Sequence, residues 1–167
     1  FMQSAPSLND GAAYGVIKLP NESPNHGPFE TVVNPSDPVA SPFGWHDTDG
    51  NIGPEYTITR GNNIYAREDD EGDNSQSGTD YSPDGGNSLN FIYDFDISGA
   101  PPSYQDLSIT NLFYTGNMMH DIWYNYGFDE QSGNFQENNY GNGGQGGDSV
   151  IADAQDGSGL NLSLIHI

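Results

Sequence analysis

The sequence predicts an α+β fold, rich in strands and ordered loops, with one long helix. Aromatic residues reach 12% although apolar residues make up only 33%, which is enough for a modest core. The 22 glycines and 11 prolines indicate a chain with many turns. Only residues 108–126 show a long run of apolar residues at helical spacing.

The charge of the chain excludes two classes of partner. Three Lys and Arg residues stand against 24 Asp and Glu residues, which gives a net charge of -21 at pH 7. Such a surface repels nucleic acid and anionic membranes. No stretch is apolar enough to span a membrane. The absence of cysteine also excludes disulfides and thiolate metal sites.

The strand candidates are short and separated by turn residues. Residues 1–50 are expected to form an extended arm, because closely spaced prolines prevent a long helix there. A hairpin is expected around Gly61, Asn62 and Asn63. The predicted strands, in chain order, cover residues 12–19, 29–34, 55–69 (as the two arms of that hairpin), 89–96 and 149–155.

The long helix is predicted from Ser108 to Tyr126. Asp106 or Ser108 can cap its start, and Gly127 can end it. Gly116 lowers helix propensity, so we expect another segment to approach closely there. The apolar residues form one stripe at spacings of three and four, made of Ile109, Leu112, Gly116, Met119, Trp123 and Tyr126.

The histidines give no sign of a zinc site or of an acid–base pair. Zinc hydrolysis on a helix needs two histidines four positions apart, in HExxH, and no two of the four histidines have that spacing. Neighbours on a helix point about 100° apart, so His120 is expected to be a structural residue at the core edge and not a partner of Asp121. His26 and His46 are expected to make structural bonds in loops. No residue is assigned a catalytic role.

Glu68 to Asn74, EDDEGDN, is the densest acidic segment. Asp69, Glu71 and Asp73 alternate as ligands do in a calcium loop, so they are the candidate calcium ligands. The segment is not an EF-hand, because the glycine and the distal glutamate of that motif are missing. A solvated acidic loop is the commoner explanation of such a run.

Several long motifs resemble the fungalysin family of zinc metallopeptidases. They are ASPFGWHDTDG, TRGNNIYAREDDEGDN, TDYSPDGGNSLNF, SITNLFYTGNMMHDIWYNYGFDEQSGNFQENNYGNGGQGGD and ADAQDGSG, and they occur in the family's order. The resemblance extends from about Tyr14 to Asn161. It implies a thermolysin-like catalytic domain, of which this chain is the β-rich N-terminal half, with residues 51–161 as its N-terminal subdomain.

The resemblance also implies an activity and the partners that go with it. Such a protein is a secreted zinc-dependent endopeptidase, with protein or peptide substrates and a C-terminal catalytic half as its missing partner. The family's substrate-binding edge segment begins at about Asn161. The family's zinc ligands lie beyond that point, so we expect no zinc ligand here and no activity from this chain alone. The exposed apolar stripe of the helix is expected to lack its covering half.

The last six residues, LSLIHI, differ in character from the acidic chain before them. One back-translation, CTGTCTCTTATACACATC, matches a transposase end sequence used in DNA library preparation. Residues 162–167 are therefore expected to be a non-native tail, to be excluded from fold reasoning. The alternative is a native apolar terminal strand.

Two other functions stay open on the residues alone. A non-catalytic, calcium-stabilised extracellular binding module predicts a large rise in melting temperature with calcium. A self-contained carboxylate hydrolase predicts metal-independent activity that is lost on changing one or two Asp or Glu residues.

Overall fold

The computed structural model describes residues 10–72, 74, 80–96 and 98–157, and the backbone of residues 165–166. Two small three-stranded sheets pack with one long helix, which confirms the α+β class. Three short 3-10 turns lie at Gly86–Ser88, Pro101–Tyr104 and Glu130–Ser132. The main elements are β1 (Ala13–Ile17), β2 (Phe29–Val33), β3 (Ile64–Glu68), β4 (Asn90–Phe91), α1 (Gln105–Asn125), β5 (Val150–Ala154) and β6 (Ile165–His166).

The first sheet has the order β2-β1-β4. β1 and β2 are antiparallel, with Ala13 opposite Val33 and Ile17 opposite Phe29. These two strands confirm the predictions for residues 12–19 and 29–34. β4 runs parallel to β1 and has only two residues, so the strand predicted over residues 89–96 was too long.

The second sheet has the order β3-β5-β6. β3 and β5 are parallel, with Arg67 opposite Asp153, and β6 adds antiparallel to β5. The predicted hairpin over residues 55–69 is present only beside its turn, where Arg60 bridges antiparallel to Tyr65 and the N–H of Ala66 donates to Thr59 O (2.8 Å). Its first arm forms isolated bridges and no strand, and β3 also pairs with the distant β5. Arg67 and Glu68 are buried in β3, although Glu68 begins the acidic segment for which a solvated loop is the commoner explanation.

Helix α1 begins three residues earlier than predicted, directly after the turn Pro101–Tyr104. Asp106 therefore lies in its first turn, where a carboxylate is favoured by the helix dipole, and does not cap it. The predicted stop is confirmed: Gly127 has φ +96°. Its N–H donates to Tyr124 O (2.9 Å) and that of Phe128 to Trp123 O (3.0 Å), a Schellman motif.

The core lies between α1 and the two sheets. Tyr14 of β1 stacks on Phe91 of β4 with ring centroids 5.5 Å apart, and Phe113 of α1 packs against both Tyr14 and Trp45. Tyr14 and Trp45 both come from the Pro-rich first 50 residues, so this region supplies two strands and part of the core. Across the described part of the chain, no helix is long and apolar enough to cross a membrane.

Candidate functional site

A buried pair of side chains anchors the inner face of α1. The ring of His46 is fully buried and stacks on Phe113, with centroids 4.8 Å apart. Its Nδ1 donates to the carbonyl of Arg60 (3.0 Å), so its Nε2 is free to accept from the Tyr14 hydroxyl (2.7 Å). Burial lowers the pKa of His46 to about 4 and raises that of Tyr14 well above its usual value. The structural role predicted for His46 is confirmed.

Asp121 is the centre of a buried hydrogen-bond cluster on the same face. Its carboxylate accepts from Trp45 Nε1 (2.9 Å), Ser41 Oγ (2.7 Å) and the backbone N–H of Asp37 (2.9 Å). His120 Nδ1 is a fourth donor at 2.9 Å. Asp121 is thus a carboxylate satisfied by donors, which ties α1 to residues 37–45.

His120 joins this cluster to the outer surface of the helix. The expectation that His120 and Asp121 do not interact was wrong, because the carboxylate bends back to meet the imidazole. The other ring nitrogen, Nε2, lies 2.9 Å from Gln136 Oε1. Gln136 Nε2 donates to Asn138 O (3.0 Å), which orients the amide. Both ring nitrogens therefore have partners within the chain, and Asn134 Nδ2 also lies 3.5 Å from Nε2. Its place at the core edge is as predicted.

Buried amides hold the loop after α1 against the body of the chain. Asn62 donates to the carbonyl of Asn138 (3.0 Å) and to the Tyr140 hydroxyl (2.7 Å), and its own Oδ1 accepts from Asn138 N (2.8 Å). Asn63 donates to Asn117 of the helix (3.1 Å). This loop consequently presents Phe135 beside α1 in a defined position.

An apolar groove opens along the outer face of α1, with a volume of about 290 Å³. Met119 and Trp123 are 41% and 51% exposed, so the later part of the predicted stripe is exposed as expected, whereas Ile109 at its start is buried in the core. Gly116 forms the floor, where a Cβ would collide with Ile64 of β3, and this is the close approach that the glycine predicts. The groove is lined by Asn63, Ile64, Gly116, Met119, His120, Trp123, Phe128, Phe135 and Val150.

The groove has the composition of a packing surface. Its walls are aromatic and aliphatic, and His120 reaches it from the Asp121 cluster. Exposed apolar surface of this kind marks a place where another protein segment binds. Phe128 and Phe135 meet edge-on, with centroids 5.9 Å apart, so one wall is already ordered.

The structure brings two of the three predicted calcium ligands together. Carboxylate oxygens of Asp69 and Glu71 lie within 4.8 Å of each other and of a third residue, Asp80. Asp80 was missed, because it lies further along the chain and the alternating pattern gave no reason to choose it. The predicted ligand Asp73 and the predicted substrate-binding residue Asn161 lie outside the described residues.

Zinc does not fit the side chains that the structure describes. Within this part of the chain, every group of three or more candidate metal ligands consists of Asp and Glu alone. Zinc sites in hydrolases rely on histidine nitrogen. His46 and His120 are occupied by the hydrogen bonds described above.

The comparisons with known proteins decide the family. The model of the family described as Fungalysin metallopeptidase (M36) matches residues 13–166. The chain belongs to the fungalysin metallopeptidase family. It is 47% identical over 151 residues to probable extracellular metalloproteinase 5 of Trichophyton verrucosum, and 46% identical over 154 residues to extracellular metalloproteinase 5 of Trichophyton tonsurans. Probable extracellular metalloproteinase 2 of Arthroderma benhamiae is 43% identical over 152 residues.

These alignments cover most of this chain and a small part of each relative. They include 90% of this fungalysin-family chain but only 23%, 24% and 23% of the three relatives, in the order given. The chain thus spans about a quarter of the length of the proteins it matches. The family match also includes residues 162–166, which belong to the segment expected to be a non-native tail.

Proposed function

We propose that this chain forms part of the catalytic domain of a secreted, zinc-dependent metalloendopeptidase that hydrolyses peptide bonds in proteins. The observation that carries the proposal is the family match along residues 13–166. The names of the relatives, extracellular metalloproteinases, support both the reaction and the location outside the cell. The catalytic zinc would be bound by residues of the protein other than those described here.

The groove on α1 is the proposed contact with the rest of the protein. Its exposed Met119 and Trp123 lie beside Phe128 and Phe135, so covering it buries several large apolar side chains at once. Burial of apolar surface stabilises an interface by about 25 cal/mol per Å². The proposed occupant is the C-terminal catalytic half that the family resemblance implies, and 23% coverage of the first relative leaves room for such a partner. Asn161 stays the candidate for backbone pairing with an extended substrate.

By itself, the 167-residue chain is proposed to be inactive. The sequence holds no HExxH, and the all-carboxylate clusters among the described residues do not suit zinc. The test is casein hydrolysis by the chain, made without residues 162–167, in the presence of Zn²⁺ and Ca²⁺. No cleavage is expected. EDTA-sensitive cleavage by this chain would overturn the proposal of inactivity.

A chimera tests the proposed role directly. The chain replaces the matching segment of extracellular metalloproteinase 5 of Trichophyton tonsurans, to which it is 46% identical. We expect a casein-hydrolysing protein that EDTA inhibits. Trp123→Asp in the groove should remove that activity, whereas Glu22→Gln, on an exposed side chain that does not line the groove, should not. A folded but inactive chimera would favour the binding-module alternative.

A further inference from the structure

A cluster of carboxylates lies where the chain leaves strand β3. Asp69 directly follows β3, and the turn after it is closed by the N–H of Gly72 donating to Asp69 O (3.2 Å). Glu68 pairs with Tyr81 through N–H to carbonyl (2.9 Å) and through its own Oε1 (3.1 Å). That pairing returns Asp80 to the same place, so carboxylate oxygens of Asp69, Glu71 and Asp80 lie within 4.8 Å of one another.

One oxygen in this cluster is buried and has no hydrogen-bond partner. The Asp80 side chain is only 3% exposed. Its Oδ2 accepts from Arg67, whereas its Oδ1 has no hydrogen-bond partner among the residues that the structure describes. A buried carboxylate oxygen left unpaired is costly, by about 1–3 kcal/mol or more. Something that the protein side chains here do not supply must satisfy it.

Among the described residues, carboxylates outnumber basic groups in this place. Arg67 is shared between Asp80 and Asp153, whose Oδ1 lies 2.9 Å from Arg67 Nε. Asp69, which is fully buried, and Glu71 add two more carboxylates to the same place.

We propose that Asp69, Glu71 and Asp80 form a binding site for a divalent cation, with Ca²⁺ as the best match. Ca²⁺ takes six to eight oxygen ligands in irregular geometry, which suits carboxylates on a turn and on the segment that returns to it. Zinc sites prefer nitrogen or sulfur ligands, and the cluster has neither. Asp69 and Glu71 are two of the three ligands that the alternating sequence pattern predicts, and Asp80 joins them from further along the chain.

A second acidic cluster differs from the first, because its carboxylate oxygens have hydrogen-bond partners within the chain. Carboxylates of Asp47, Asp49 and Glu55 also lie within 4.8 Å of one another. Asp47 Oδ1 accepts the N–H groups of Asp49 (3.0 Å) and Gly50 (2.7 Å), and Glu55 accepts from the backbone of Thr48. Among the described residues, none of the three side chains in this second cluster has a buried oxygen without a hydrogen-bond partner. We therefore propose no cation there.

The bound cation would stabilise the chain at the end of the second sheet. The N–H of Gly157, just beyond β5, donates to Asp69 O (2.8 Å). A Cβ at Gly157 would collide with the carbonyl of Asp70, so the two segments are in direct backbone contact. A cation on Asp69 therefore holds the exit of β5 as well as the exit of β3. This role is independent of peptide hydrolysis.

The experiment is calorimetric titration of the EDTA-treated 167-residue chain with CaCl₂, together with thermal unfolding. We expect one binding event and a melting temperature that rises with calcium. Glu71→Gln should weaken the affinity at least about tenfold, since calcium affinity follows the number of charged ligands. Glu71 is exposed, so this variant keeps the fold. Glu22→Gln removes one charge from an exposed side chain outside the cluster and should bind as the parent does.

Two further variants separate this site from its neighbours. Asp80→Asn should abolish calcium binding, and Asp70→Asn should weaken it less than Glu71→Gln does. If Asp70→Asn abolishes binding and Asp80→Asn retains it, the cation lies on Glu68, Asp70 and Glu71, and the proposal is wrong. It is also wrong if the parent chain binds no calcium, or if Glu71→Gln binds as tightly as the parent. Because no activity is measured, these outcomes are separate from those of the proposed peptidase function.

Discussion

Helix α1 has two apolar surfaces that differ in what covers them. Its inner face buries Ile109, Phe113 and Tyr114 against both sheets and closes with the Asp121 cluster. Its outer face carries Met119 and Trp123 into a groove that the described residues leave open. The inner face thus serves the folding of this part of the chain, whereas the outer face is free for assembly. Substitutions on the two faces should therefore separate folding from assembly.

The largest effect is expected at the centre of the inner face. Phe113 is fully buried and contacts Tyr14, Trp45 and His46. Phe113→Ala removes a ring from a packed core and leaves a cavity, so we expect a loss of about 3–5 kcal/mol in the free energy of unfolding. Urea denaturation followed by tryptophan fluorescence measures it. A loss below about 1 kcal/mol would mean that the inner face is not the core.

A lower pH should reduce the free energy of unfolding through protonation of His46 on the inner face. The ring is neutral in the folded chain with a pKa of about 4, against about 6.5 when unfolded. The unfolded chain therefore binds one more proton between these values, so this contribution is complete above about pH 6.5 and is lost as the pH falls to 4. The loss is about 3 kcal/mol.

The measurement is the free energy of unfolding from pH 7 to pH 4, compared with that of His46→Gln. Glutamine can accept from Tyr14 and donate to the Arg60 carbonyl but does not titrate, so its curve should lack this component. Parallel curves for the two proteins would contradict the buried neutral histidine.

The next effect concerns Asp121. Asp121→Asn replaces one carboxylate oxygen by an amide group that donates. That amide then faces groups that also donate, in a buried position; the donors to Asp121 are Trp45, Ser41, His120 and the backbone of Asp37. We expect a loss of about 2 kcal/mol in unfolding free energy, and altered near-ultraviolet circular dichroism from Trp45. Glu22→Gln makes the same change of charge on an exposed side chain. Equal stability of the two variants would show that the cluster does not stabilise the fold.

Local sequence patterns predicted the helix and most strands, whereas contacts between residues distant in sequence determine which side chains meet at each cluster. Gly127 predicted the helix end, because a residue in the left-handed conformation ends the helix there and glycine adopts that conformation most easily. The donors to Asp121 come from residues 37–45, far away in sequence, so no spacing on α1 could reveal them. Asp80 was missed as a partner of Asp69 for the same reason, since the backbone hydrogen bond between Glu68 and Tyr81 brings it there.

The smallest effect is expected on the outer face and gives the sharpest contrast with Phe113. Trp123 is half exposed, so Trp123→Ala removes little buried surface, and alanine gains a few tenths of a kcal/mol of helix propensity. The unfolding free energy of the chain should change by less than about 0.5–1 kcal/mol. In the chimera with the Trichophyton tonsurans relative, the same substitution should lower stability clearly, because there the groove would be covered. Equal small effects in both proteins would mean that nothing packs on the groove, and a large effect in the chain alone would place Trp123 in its core.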